Sequence, residues 1–226
     1  MAANVIAIDG PAASGKSTIA NRVAQFLGIP YINTGNMYRA ITWHVQQAGI
    51  PIDDQNISRI KSLLEQTTLE YRKGGHGVYE LYLNGLPVGN AIRSPEVTAQ
   101  VSPIAAMPEV RAWLLQKQRD YTALGLIVME GRDIGTVIFP DAKYKFFLTA
   151  SPEARARRRL AQGGETPANA TVMSVAAEIA ERDRIDSTRA VAPLRQAADA
   201  VLVDSTDMTI EQVLAAITGR VEHGGN

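Results

Sequence analysis

Gly10, Pro11, Ala12, Ala13, Ser14, Gly15, Lys16, Ser17 and Thr18 carry the spacing G-x-x-x-x-G-K-[ST] at every fixed position. Such a segment does phosphate chemistry. Successive backbone N–H groups, delivered into a helix N-terminus, surround anionic oxygens. Lys16 adds a mobile positive charge, and the Ser17 hydroxyl can ligate Mg²⁺. The flanks fit: the apolar run Val5 to Ile8 predicts a buried strand before the loop, and Ile19, Ala20, Val23, Phe26 and Leu27 predict an amphipathic helix after it. A glycine-rich turn with a chance lysine would need neither flank.

A phosphate donor needs an acceptor, and arginines are the side chains suited to holding one. Arg39 lies just after Thr34, Gly35 and Tyr38, where a turn following the second apolar run opens a helix that Thr34 is placed to cap. Taken without that context, Tyr38 and Arg39 read equally as ordinary helix surface. Arg132 and Asp133 stand beyond the carboxyl end of the predicted strand Leu126 to Met129. Ligands bind at that edge in open α/β sheets, and a turn salt bridge is the plainer reading. Arg182, Asp186 and Arg189 recur at spacings of four and three, which aligns two guanidiniums and a carboxylate on one helical face. Periodicity alone equally allows a solvated face laced with ion pairs. Arg155, Arg157, Arg158 and Arg159 crowd one short helix leading into Gln162, Gly163, Gly164 and Glu165. A lid closing over phosphates needs such a cluster, and a plain charged helix is the alternative for any one of the four.

Transfer of a γ-phosphoryl group asks little covalent chemistry of a protein, so positioned charge supplies most of the catalysis. An alcohol acceptor would call for a base. A phosphate acceptor, with a second pKa of about 6, is already ionised at neutral pH. Several arginines without an obvious base favour the phosphate, although Asp9, Asp133 and Asp186 each offer a carboxylate. His44, His76 and His223 show no paired spacing and read as structural or exposed.

The elements that must position these groups follow from periodicity. Short apolar runs at Val5 to Ile8, Pro30 to Ile32, Leu126 to Met129, Lys145 to Leu148 and Ala200 to Val203 predict strands. Helical patterns fall near Met37 to Gln47, Val97 to Tyr121, Ser151 to Gln162, Thr171 to Ser187 and Thr209 to Val221, with Met107 and Pro108 breaking the second. The alternation argues a parallel sheet covered on both faces. Residues 67–96 break it, reading as antiparallel strands turned at Gly74-Gly75 and Asn84-Gly85. This insertion is either a surface appendage or part of substrate binding, and its closeness in sequence to Arg93 favours the latter.

The chain has 226 residues, suited to one α/β domain with an insertion. Its 23 basic and 23 acidic residues give no global field toward a nucleic acid polymer or an anionic membrane. The absence of cysteine excludes disulfides, thiolate metal ligands and a cysteine nucleophile. The first strand begins almost at once, and no apolar run approaches the ~20 residues of a membrane helix. The expectation is a cytoplasmic protein with a frayed tail after Arg220.

Together these residues resemble the bacterial cytidylate kinase family over nearly the whole chain. The supporting stretches are Ile8 to Thr18, Thr34-Gly35 with Tyr38-Arg39, Ala91 to Arg93, Pro108 to Arg111, Gly131 to Ala142, Glu181 to Asp183 with Asp186, and Arg189 to Leu194. The resemblance implies a P-loop kinase with a five-stranded parallel sheet flanked by helices. It also implies a nucleoside-monophosphate-binding region over about 34–121 that holds the β insertion, a short lid over about 153–170, and a core over 1–33, 122–150 and 190–226. The implied reaction passes the γ-phosphoryl of ATP to CMP or dCMP with Mg²⁺, in a monomer. Carried over, Thr34, Ser102, Arg111 and Asp186 match positions around the cytosine, and Asp133 the carboxylate that holds the sugar hydroxyl. Tyr38, Arg39, Arg132, Arg182 and Arg189 match positions around the acceptor and transferring phosphates, with Arg93 beside them and Arg158 on the donor side. Two positions depart from the family's usual aspartates: Asn33 before Thr34-Gly35, and Glu130 before Gly131-Arg132-Asp133. The rival readings are a P-loop kinase for another small acceptor, and a nucleotide-binding regulator that has lost transfer.

Overall fold

The computed structural model describes residues 3–75, 78–162, 166 and 169–224. Its strands are β1 (Ala3–Asp9), β2 (Tyr31–Asn33), β3 (Leu69–Lys73), β4 (Tyr79–Leu83), β5 (Leu86–Pro87), β6 (Ile127–Gly131), β7 (Ala142–Thr149) and β8 (Val201–Asp204). Its α-helices are α1 (Lys16–Leu27), α2 (Thr34–Gln47), α3 (Ile57–Glu65), α4 (Pro95–Ala106), α5 (Pro108–Arg119), α6 (Pro152–Gln162), α7 (Val172–Thr188) and α8 (Ile210–Glu222).

The five predicted core strands form one sheet in the order β2-β6-β1-β7-β8, every pair parallel. Successive side chains of a strand point to opposite faces, and both faces are covered here. Val5, Ala7, Ile32 and Met129 pack with Met37, Ile41, Ile104 and Leu114 of α2, α4 and α5. Ile6, Ile8, Val128 and Phe146 pack with Ile19, Val23, Val213 and Ile217 of α1 and α8. That is why β1 reads as a continuous apolar run, not an alternating one. Phe26, counted on the apolar face of α1, is 57% exposed instead.

The predicted helix over 97–121 divides as expected, since Pro108 cannot continue α4 but suits the first turn of α5. It also starts earlier, because Ser94 accepts from the Val97 N–H and Pro95 takes the first helical position. α3 was not anticipated, although Ile60 and Leu64 sit one turn apart and bury against the core.

The β3-β4-β5 sheet is antiparallel, as predicted. Asn84 and Gly85 both take positive φ, 50° and 80°, which matches the twist of a tight hairpin. The pairing ends at Pro87 instead of running to residue 96. Next to the turn expected at Gly74-Gly75, residues 76 and 77, His76 among them, lie outside the described residues. The insertion is not a mere appendage, because the Tyr71 hydroxyl donates to the Asn33 carbonyl at the end of β2, at 2.9 Å.

Of the expected lid, residues 153–162 belong to α6, while 163–165, 167 and 168 lie outside the described residues. The expected fraying after Arg220 does not start there, since α8 continues to Glu222. Among the described residues no helix is long and apolar enough to cross a membrane.

Candidate active site

β1, β2 and β6 end side by side, so Gly10, Thr34 and Arg132 leave the sheet at one edge. The phosphate loop follows β1 and lies tight against β7. A Cβ on Gly10 would sit 2.0 Å from the Leu148 carbonyl oxygen, so only glycine fits there. Ala13, at φ 57°, and Gly15, at φ 91°, turn the loop into the first turn of α1. The carboxylate of Asp9 accepts from the backbone N–H groups of Ile134 and Gly135, at 2.9 and 2.7 Å. It thereby pins the π-helical turn Ile134–Ile138 that follows Arg132-Asp133. Burial pushes the Asp9 pKa up to about 7 in spite of these bonds.

Lys16 is buried, and its Nζ donates to the Pro11 carbonyl at 2.6 Å and Ser14 Oγ at 3.3 Å. Burial, then the nearby Arg132, lowers its pKa, and Glu130 opposes the shift. Asn33, not Thr34, caps α2: its Oδ1 accepts from the Asn36 N–H at 2.9 Å, because Asn33 still holds extended backbone while Thr34 is already helical. The Thr34 hydroxyl donates to the Glu130 carbonyl at 2.8 Å. Asn33 Nδ2 reaches Ser17 Oγ at 3.5 Å and the Tyr31 hydroxyl at 3.0 Å, and Tyr31 donates to Glu130 Oε1 at 2.5 Å. Tyr31 therefore links Asn33 to Glu130.

A cleft of about 530 Å³ opens over the loop. Its walls bring Lys16 together with Arg39, Arg93, Arg132, Arg158, Arg159 and Arg182, from five different segments. The positive charge is concentrated enough to act on itself. Arg182 is pushed down to about 9 by burial, then by Arg132 and Arg39. Arg39 and Arg159 fall to about 10, by burial and by their guanidinium neighbours. The Arg182 Nε is buried with no hydrogen-bond partner among the described residues. A buried excess of donors and positive charge is complementary to phosphate oxygens.

Behind the cleft lies a second polar cluster. Asp133 accepts from Arg111 and, at 3.4 Å, from Arg189. Asp186 accepts from Arg132 at 2.8 Å and from Ser102 at 3.3 Å, with Arg189 3.8 Å away. The Arg111 guanidinium lies over the Tyr38 ring, 5.5 Å from its centroid. All these side chains but Arg132 are less than a tenth exposed, and Thr34, Tyr38, Ser102, Arg111, Asp133, Asp186 and Arg189 do not line the cleft. The residues expected around a base and sugar are thus gathered, but bonded to one another. Arg189 lies just past the end of α7, not within the helix, and faces Asp186 from there.

The four arginines of α6 separate. Arg157 is exposed and pairs with Glu153. Arg155 is buried against Ala12 and Asp183. Arg158 donates to the Ser205 carbonyl at 2.6 Å and to its hydroxyl at 3.0 Å. Arg159, named only as one of the four, faces the cluster of Arg39, Arg93 and Arg132. Of the histidines, His44 is bonded to Thr67 and His223 to the Gly219 carbonyl, away from the cleft.

The donor set suits a hard cation. Ser17 and Glu130 both line the cleft and carry oxygen donors, and among the described residues no three His, Cys, Asp or Glu side chains form a cage. Proteins commonly bind Mg²⁺ through one or two of their own oxygens together with phosphate and water.

The family model for cytidylate kinase matches residues 6–223. The chain belongs to the cytidylate kinase family. It is 45% identical over 216 residues to the cytidylate kinase of Carboxydothermus hydrogenoformans, covering 94% of each. It is 44% identical to that of Pelotomaculum thermopropionicum, covering 97% of this chain and 96% of the relative. It is also 46% identical to the bifunctional pantoate ligase/cytidylate kinase of Synechococcus sp. (strain WH7803), and spans only 43% of that longer protein. The fold is shared with the shikimate kinase of Bacteroides thetaiotaomicron, at a TM-score of 0.50 and 12% identity over 96% of this chain and 98% of that one.

Proposed function

We propose that this chain transfers the γ-phosphoryl group of ATP to CMP and dCMP. The observation that carries this reading is the meeting of two sites: a phosphate loop with Lys16, and a ring of acceptor-side arginines, Arg39, Arg132 and Arg182, in one cleft. The donor phosphates lie along Gly10 to Thr18, and Arg158 flanks them. Ser17 and Glu130 would hold Mg²⁺, which would supply charge neutralisation at the donor phosphates. Arg39 and Arg93 grip the acceptor phosphate. Lys16, Arg132 and Arg182 meet the charge that spreads over the transferring group, so their mutual repulsion is relieved most in the transition state.

The buried cluster selects the base. Asp186 can accept from the exocyclic amine of cytosine, a donor that uracil lacks. Ser102, Arg111 and Thr34 complete the polar surround and Asp133 takes the sugar hydroxyl, while Tyr38 and Arg189, expected at the phosphates, stand in this buried cluster and not on the cleft wall. An incoming nucleotide exchanges its own hydrogen bonds for those these side chains now make with one another. Residues of about 34–121 form the acceptor region, and about 153–170 the lid.

Release of ADP, coupled to a spectrophotometric assay with CMP, dCMP, UMP, AMP and shikimate in turn, tests the reading. CMP and dCMP are expected to exceed the others by at least a hundredfold in kcat/KM, since rejection of a substrate lacking a required donor reaches about 10⁴. Preference for another acceptor would overturn it, and no turnover at high enzyme concentration would favour a silent nucleotide-binding role.

A further inference from the structure

The two peptide groups that flank Ala12 in the phosphate loop are each held by a side chain from a different helix. The Ala12 N–H donates to Asp183 Oδ1 of α7 at 2.9 Å, and the Ala12 carbonyl accepts from Arg155 Nη1 of α6 at 3.0 Å. The same Nη1 donates to the other carboxylate oxygen of Asp183, which closes a ring of three residues. Arg155 Nε is fixed in turn by the Ala150 carbonyl, just past the end of β7, at 3.1 Å. The side chains are 9% and 19% exposed, so water competes little for these bonds.

Packing repeats the pattern. The Ala12 methyl group is 1% exposed and sits with Ala156 of α6 and with Val175 and Ile179 of α7, in a small apolar cluster separate from both faces of the sheet. Loop, α6 and α7 therefore meet at one joint, held by polar bonds above and methyl groups below. Ala13, next in the chain, takes the left-handed conformation that turns the loop. Arg182, on the cleft wall, immediately precedes Asp183.

We infer that Asp183 and Arg155 are positioning residues for the donor site. By holding the peptide groups on both sides of Ala12 they fix where the loop's following N–H groups point, and they register that loop against the helix bearing Arg182. Neither residue lines the cleft, so both act through the loop. The inference rests on the reading above in placing the donor phosphates on the loop.

Asp183→Asn is the discriminating change, because its amide would turn a donor toward either the Ala12 N–H or Arg155. Arg155→Lys keeps the charge but loses the Nε arm that anchors the guanidinium to the Ala150 carbonyl, and with it the fixed direction of Nη1 toward the Ala12 carbonyl and Asp183. Loss of a charge-assisted bond predicts that each variant binds ATP about tenfold more weakly by calorimetry. CMP affinity should stay within about twofold of wild type, and KM for ATP should rise more than kcat falls. A merely structural role would lower the melting temperature while leaving the ATP affinity of the folded protein unchanged. If Asp183→Asn does not fold, Arg155→Lys carries the test. Unchanged ATP affinity, or equal losses for ATP and CMP, would overturn the inference. Failure of the wild type to bind ATP would instead overturn the donor-site reading, and this inference with it.

Discussion

Arg132 Nε donates to Asp186 Oδ2 at 2.8 Å, which ties the turn after β6 to α7 across 54 residues of chain. The pair sits where the cleft meets the buried cluster behind it, since Arg132 lines the cleft and Asp186 does not. Burial would raise the Asp186 pKa, but Arg132, Arg182 and Arg189 together hold it below the usual carboxylate range.

Removing that carboxylate strands its partners. Asp186→Ala should cost about 3 kcal/mol in urea unfolding, the size expected when one member of a buried ion pair is deleted. Asp186→Asn, which keeps an acceptor for Arg132, should cost less. Because the folded pKa lies below the unfolded 3.8, the stabilisation is present above that value and is lost as the pH falls through the folded value. The gap between wild type and Asp186→Asn should therefore stay level from pH 5 to 8 and narrow below about pH 4. A gap that does not narrow in acid would contradict the pairing.

Arg182 and Arg189, equivalent by spacing, should behave differently. Arg189 is bonded to Asp133 and to the Ala192 carbonyl, so Arg189→Met should lower both stability and turnover. Arg182 stands among like charges with its Nε unpartnered. Arg182→Met should leave the melting temperature unchanged or raise it, while kcat falls by about 10² to 10³, as for loss of one transition-state donor. Parallel losses of stability and kcat in Arg182→Met would return that residue to a structural role.

Asp9 gives the opposite pH dependence. Its folded pKa of about 7 exceeds the unfolded 3.8, so the stability tied to its neutral form is complete below 3.8 and is lost as pH rises through about 7. Relative to Asp9→Asn, the wild type should therefore lose stability between pH 4 and 7. Urea midpoints of both proteins across that range measure it, and a constant difference would show that Asp9 is ionised throughout.

Gly10→Ala should be among the most damaging single-methyl changes in the chain. The added Cβ would meet the Leu148 carbonyl of a central strand at 2.0 Å, and backbone on both sides leaves no flexible group to yield. A loss above about 3 kcal/mol is expected, beyond the usual range for one substitution. Near-native stability would mean that the loop can lift from β7.

How much of this was legible depended on whether a residue's role is local. The strands were readable because β1 and its neighbours are buried on both faces and so form unbroken apolar runs. The hairpin was readable because Asn84-Gly85 states its own backbone geometry. Arg155 and Arg159 were not separable from Arg157 and Arg158, since neighbours in sequence point to different partners around a helix. Their roles are set by Asp183 and Arg39, far off in the chain. Arg111 and Arg189 could be placed at the site by resemblance, but not their shared contact with Asp133, which needs three distant segments to meet.

Asn33 bridges the phosphate loop and the Tyr31–Glu130 pair. Its amide reaches Ser17 Oγ at 3.5 Å and the Tyr31 hydroxyl at 3.0 Å, while Tyr31 spends its single proton on Glu130. Asn33→Asp keeps an oxygen to cap α2 but sets a second carboxylate beside Glu130, with no proton from Tyr31 left to share. Two effects should follow. Without divalent cation the variant should melt lower than wild type, since like charges held close in a part-buried site repel. With Mg²⁺ and ATP the deficit should vanish, because the added charge would draw the cation proposed to sit by Ser17 and Glu130. The Mg²⁺ concentration for half-maximal thermal stabilisation should drop about tenfold, as an added attraction of ~1.4 kcal/mol would give. Melting curves over a Mg²⁺ titration at fixed ATP read both effects. An unchanged Mg²⁺ midpoint would mean that position 33 serves only as the cap of α2.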